Sequence, residues 1–130
     1  MSTITTTELL DDLDRYLTMH SDEARHARRF QPQPERVKAL RQKATLLFSR
    51  YASWPKPLYI MADNTGSFEI CWDSKEFESG LFYDDEKGVF DWDYWDKNDN
   101  AEQGYTIDAT DAKQVAAFHE HLKLRYGGAQ

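Results

Sequence analysis

The segment Trp54-Pro55-Lys56-Pro57 divides the chain into two parts with different hydrophobic periods, and no other feature constrains the fold as strongly. Proline lacks an amide donor and pushes the residue before it out of the α region, so a helix must end here. Before this joint, apolar residues recur at the three- and four-residue intervals of an amphipathic helix. Leu9, Leu10, Leu13, Tyr16 and Leu17 follow the cluster Thr5 to Thr7, which offers N-caps and sets Glu8, Asp11 and Asp12 near the positive helix end. This predicts a helix over 8–19. His20 to Phe30 is polar and basic, compatible with a further turn or two, and Gln31-Pro32-Gln33-Pro34 interrupts regular structure. Val37, Leu40, Ala44, Leu47, Phe48 and Tyr51 then form the stripe of a second helix, over 35–53.

Beyond the joint the chain turns to short alternating segments rich in aromatic and β-branched residues. Strands are predicted at 58–62, 67–72, 80–83 and 89–95, with a fifth at 104–107 and turns at Asp63–Gly66 and Asp84–Gly88. Thr110 or Asp111 caps a last helix whose buried stripe is Val115, Phe118, Leu122 and Tyr126, and Gly127-Gly128 ends it. The expected fold class is α+β, a two-layer domain with N-terminal helices, an antiparallel meander of four to five strands and a C-terminal helix. One domain spans 1–130, helical over 8–53, sheet over 58–108 and helical again over 110–126. The 130 residues suffice for one continuous core, and an aromatic content of 14% supplies it.

No run approaches the roughly 20 apolar residues of a membrane helix, and Met1 to Thr7 lacks the regions of a signal peptide, so a cytoplasmic protein without membrane contact is expected. The single cysteine, Cys71, rules out an internal disulfide framework and a multi-cysteine zinc cage. It lies in an apolar run with no electropositive neighbour to activate it, and reads as a small core residue.

Charge is segregated along the chain. Residues 15–56 carry ten bases and three acids, whereas residues 57–112 carry fifteen acids and three bases, within a total net charge of −7. The bland reading places these carboxylates on turns and on a solvated sheet face, partly offset by the basic helices. The functional reading is that such self-repulsion is tolerated more readily when a basic partner neutralises it. In Asp91-Trp92-Asp93-Tyr94-Trp95-Asp96 the strand period puts Phe90, Trp92 and Tyr94 on one side and Val89, Asp91, Asp93 and Trp95 on the other. Carboxylates two residues apart lie about 6.5–7 Å from each other, close to the phosphate spacing of a nucleic-acid strand.

Other constellations carry less. Asp96, Asn98 and Asn100 begin like a calcium loop, but Ala101 and Ile107 stand where the turn glycine and the bidentate glutamate belong. His119 and His121 are two apart on a helix and diverge, while His20 and His26 fall in a polar segment. No metal or cofactor is expected. No P-loop, dinucleotide-binding glycine motif, nucleophile elbow or HExxH occurs, and the many acids remove specificity from any carboxylate pair. A non-enzymatic role is therefore expected. Trp72, Trp92, Trp95, Tyr83, Tyr94 and Tyr105 could stack on sugar rings, though most of them are needed for the core.

These features lead to an acidic binding protein that blocks a basic, nucleic-acid-binding protein by steric and electrostatic occlusion. Small phage counter-defence proteins and immunity proteins are of this type, a likeness of size and charge alone. The expected contact residues are Asp91, Asp93, Trp95 and Asp96, with Asp84, Asp85 and Glu86 as steering charges. Direct nucleic-acid binding is disfavoured by the net charge, apart from a basic stretch at Arg25, Arg28, Arg29, Arg36, Lys38, Arg41 and Lys43. The alternative is an adaptor or assembly protein using its helical surface, and a carbohydrate-binding or carboxylate-based enzymatic role comes third.

Overall fold

A computed structural model describes residues 3–27, 34–62, 68–84 and 87–127. Its elements are β1 (Thr3–Thr5), α1 (Thr6–Ala27), α2 (Pro34–Phe48), β2 (Ser53–Pro55), β3 (Tyr59–Ala62), β4 (Phe68–Asp73), β5 (Phe77–Asp84), β6 (Val89–Asp96), β7 (Ala101–Ile107) and α3 (Ala112–Leu122). A wider π turn, Lys123–Gly127, prolongs α3. The fold is α+β, as expected: helices at both ends flank a five-stranded antiparallel meander in the order β3-β4-β5-β6-β7.

Local chemistry accounts for the element ends. Thr5 and Glu8 form a reciprocal capping box: the Glu8 amide donates to Thr5 Oγ1 at 3.1 Å and the Thr5 amide to Glu8 Oε1 at 3.3 Å. At the far end of α2 the Phe48 carbonyl accepts from the Thr6 hydroxyl at 3.1 Å and from the Trp54 indole at 3.0 Å. These side chains join the Tyr51 amide, at 3.4 Å, in satisfying a carbonyl beyond the last helical bond. The Asp111 carboxylate caps α3, accepting from the amides of Lys113 at 3.0 Å and Gln114 at 3.3 Å. Gly88 takes φ +68 in the turn between β5 and β6, a conformation that side chains disfavour.

Several boundaries differ from the sequence-based expectation. The first helix takes up the further two turns that His20 to Phe30 allow and runs to Ala27, and the second ends at Phe48 instead of Ser53. The residues after it form β2, which pairs antiparallel with β1 through Thr3–Pro55, Ile4–Trp54 and Thr5–Ser53. Pro55 is tolerated because this two-stranded ribbon needs no donor from it. The turn Asp63–Gly66 lies outside the described residues, as do Asp85 and Glu86.

The core lies between the helices and one sheet face. Leu9, Leu13, Leu40, Ala44, Leu47 and Phe48 from α1 and α2 join Ile60, Ile70, Trp72, Leu81, Phe90 and Trp92 from the sheet. Val115, Phe118, Leu122 and Tyr126 from the last helix and its π turn complete the same cluster, the stripe that its spacing predicts. Two indoles bind the corner after α2: Trp54 as above, and Trp72, which donates to the Pro55 carbonyl at 2.8 Å. No helix among the described residues is long and apolar enough to cross a membrane.

Candidate functional site

Because strand residues alternate between faces, the register of the meander decides what the second sheet face displays. Three cross-strand rows lie on it. The first is Met61, Glu69, Phe82, Asp91 and Thr106, and the second is Tyr59, Cys71, Gly80, Asp93 and Gly104. The third is Asp73, Glu78, Trp95 and Glu102. All the helical core residues pack on the opposite face, and none of the described helices covers this one. Asp93, Glu78, Glu102 and Asp73 are exposed, and Glu69, Asp91 and Trp95 are half-buried.

The centre of the face is a shallow trough of about 200 Å³ walled by Phe82 and Trp95 and edged by Glu69, Glu78, Asp93 and Glu102. Gly80 and Gly104 keep it open on either side of Asp93. A Cβ at position 80 would stand 3.1 Å from the Phe82 ring, and one at 104 would stand 3.1 Å from the Asp93 carboxylate. Cys71 is buried in the floor, and burial pushes its thiol pKa up, with Glu78, Glu69 and Asp73 pushing the same way. It therefore stays protonated and is a poor nucleophile. The Tyr59 hydroxyl donates to Glu69 Oε1 at 3.3 Å.

Bases do little to offset this surface. Lys97 pairs with Asp73 at 2.7 Å and donates to the Ser74 carbonyl at 2.8 Å, at one corner of the face. Several bases of the helices and their flanking turns are engaged elsewhere: Arg15 with Asp12, Arg41 with Asp14, Lys123 with Glu120, and Arg50 with the Ala109 carbonyl. Among the described residues no helical base pairs with Glu69, Glu78, Asp91, Asp93 or Glu102. Of the basic stretch over 25–43, Arg28 and Arg29 and the side chains of Arg25 and Arg36 lie outside the described residues.

No family model, curated protein or solved structure matches the chain. Any role must therefore be argued from the geometry above.

The structure brings Asp91, Asp93 and Trp95 together on this face, in the arrangement that strand alternation predicts. Asp96 has the opposite parity and does not join them. Its Oδ1 accepts from the amides of Asn98 at 3.0 Å and Asp99 at 3.2 Å, closing the turn into β7. Asn100 sits at φ 50 in that turn and its side chain accepts from the Trp95 indole at 3.2 Å, so the segment that begins like a calcium loop is a hairpin turn. Asp84 ends β5 but its side chain lies outside the described residues, together with Asp85 and Glu86. Glu69, Glu78 and Glu102 are the members that a strand-by-strand reading misses, since only the register places them around Asp93. His119 and His121 diverge: His119 stacks on Tyr51 at 3.7 Å, whereas His121 meets Trp92 and Tyr94 at 4.3 and 4.6 Å.

Proposed function

We infer that this protein acts by binding, with the uncovered acidic face of its sheet docking on a basic surface of another protein and blocking it. The observation that supports this most is the division of labour between the two sheet faces. The helices build the core on one face, and the other holds Glu69, Glu78, Asp91, Asp93 and Glu102, with no helical base paired to them among the described residues. Like charges held this close on a fixed sheet repel one another, and a basic partner would relieve that repulsion while being steered toward the face. Trp95 and Phe82 supply apolar anchors inside the charged field, the combination that carries binding energy at interfaces.

Asp91 and Asp93 are spaced like successive phosphates, which suits the nucleic-acid groove of a nuclease or repressor. The inhibitor would occupy that groove as a counter-defence or immunity protein does, by occlusion alone. The test is retention of host proteins on the immobilised chain at low and raised salt, for the wild type and for Asp91→Lys/Asp93→Lys. A basic nucleic-acid enzyme should be held, released by salt and lost in the variant, with a thermal midpoint within about 3 °C of the wild type. Retention of the same enzyme by the charge-reversed variant would remove the sheet face as the contact surface.

A further inference from the structure

A second cavity, on the other side of the sheet, has no part in that reading. It is a cleft of about 480 Å³ between α3 and the outer strands β6 and β7, within the usual size of small-ligand sites. It exists because β7 extends past the cover of α3. Tyr105 and Gln103 share the inward parity of buried Ile107, yet both are exposed, Tyr105 by 51%. On the helix the facing residues are Ala117, which is short, and Gln114, whose amide is held by the Asp108 amide and the Asp111 carboxylate, while Phe118 closes the inner end against Trp92 at 5.2 Å.

The chemistry of the lining is specific. Trp92 is only 6% exposed, and among the described residues its indole Nε1–H has no hydrogen-bond acceptor. His121 Nε2, also buried, has no partner either. Buried polar atoms of this kind are uncommon, because each costs about 1–3 kcal/mol when unpaired. Arg125 lines the same cleft, its guanidinium 4.5 Å from the Phe77 ring centroid and 5.9 Å from that of Tyr94. It forms no ion pair with a carboxylate among the described residues. A cation held in place by rings, in a chain whose net charge is −7, is a local positive site in a negative molecule.

We propose that this cleft binds a small planar aromatic carboxylate, with its ring against Trp92 and Tyr105 and its carboxylate at Arg125. Aromatic walls favour a flat apolar body, and Arg125 favours a carboxylate over a neutral or cationic group. The unpaired Trp92 indole N–H offers a ring hydroxyl a donor.

The test is a titration of the full-length chain with 4-hydroxybenzoate, followed by ¹H–¹⁵N NMR at the Trp92 indole, which is assigned by its loss in Trp92→Phe. 4-Hydroxybenzamide serves as the neutral analogue. The expected result is a saturable shift with the carboxylate and binding at least about tenfold weaker with the amide, the worth of one charge-assisted contact. Arg125→Gln should erase that preference. Ala117→Trp fills the cleft from an exposed helix position and should abolish binding while the amide resonances of the sheet remain dispersed. The assignment is overturned by the absence of a saturable shift, by equal binding of the two probes, or by binding that survives Ala117→Trp.

Discussion

His121 shows how a single residue records its surroundings. Burial first, and the nearby Arg125 charge second, push its pKa down to about 4 from an ordinary 6.5. Trp92 and Tyr94 face it from β6, and Arg125 from its own helix end. The unfolded chain therefore takes up a proton that the folded chain refuses, and the folded state loses stability as pH falls from 6.5 toward 4. Above 6.5 this contribution is fully present. The loss across that window is on the order of 1–2 kcal/mol, since each unit of depression is worth about 1.4 kcal/mol and solvent at the partly exposed ring screens part of it. Denaturant melts of wild type and His121→Phe at pH 7 and pH 4 should differ in their pH dependence by that amount, and parallel curves would mean that His121 is not held neutral. His119 is depressed too, chiefly by burial, and it stays in both proteins, so the comparison isolates His121.

At the scale of elements, α3 depends on one cap and one stripe. Asp111→Ala removes the acceptor for two helix amides and should cost about 1 kcal/mol, lowering the thermal midpoint by about 3–5 °C. Asp111→Ser should recover most of the loss in the same thermal melt, because the hydroxyl also accepts from these amides. The stripes of α2 and α3 and the strands of the meander are legible in the sequence because the 3.6- and 2-residue periods are local. Less legible were β1 and β2, three residues each, since nothing in Thr3–Thr5 or Ser53–Pro55 signals a strand without its partner. The strand β7 begins at Ala101 and not at Gly104 for a similar reason. Ala101, Glu102 and Gln103 look like loop residues, but pairing with Asp96, Trp95 and Tyr94 extends the edge strand through them.

For the whole molecule, the acid-rich block over 57–112 supplies the sheet, whose second face gathers several of its carboxylates. Among the described residues no helical base pairs with Glu69, Glu78, Asp91, Asp93 or Glu102, so screening their repulsion should stabilise the isolated protein. Raising ionic strength from about 0.01 to 0.15 M shortens the screening length from about 30 to 8 Å. The thermal midpoint of the free chain should rise over that range while affinity for a basic partner falls. A midpoint that falls with salt would show that the ion pairs within the helices outweigh the repulsion on the sheet.

The amino-acid sequence by itself determined which residues share a helix stripe or a strand face, and so that Asp91, Asp93 and Trp95 stand together opposite Phe90, Trp92 and Tyr94. It determined this because side-chain direction follows from backbone periods of a few residues. Only the tertiary structure decided that every helix packs on the same sheet face, which leaves the acids uncovered. It also decided the register that gathers Glu69, Glu78 and Glu102 around Asp93, and the short reach of α3 that opens a cleft over Trp92. These depend on contacts between segments far apart in the chain, where loop lengths and packing select among arrangements that the local periods allow equally.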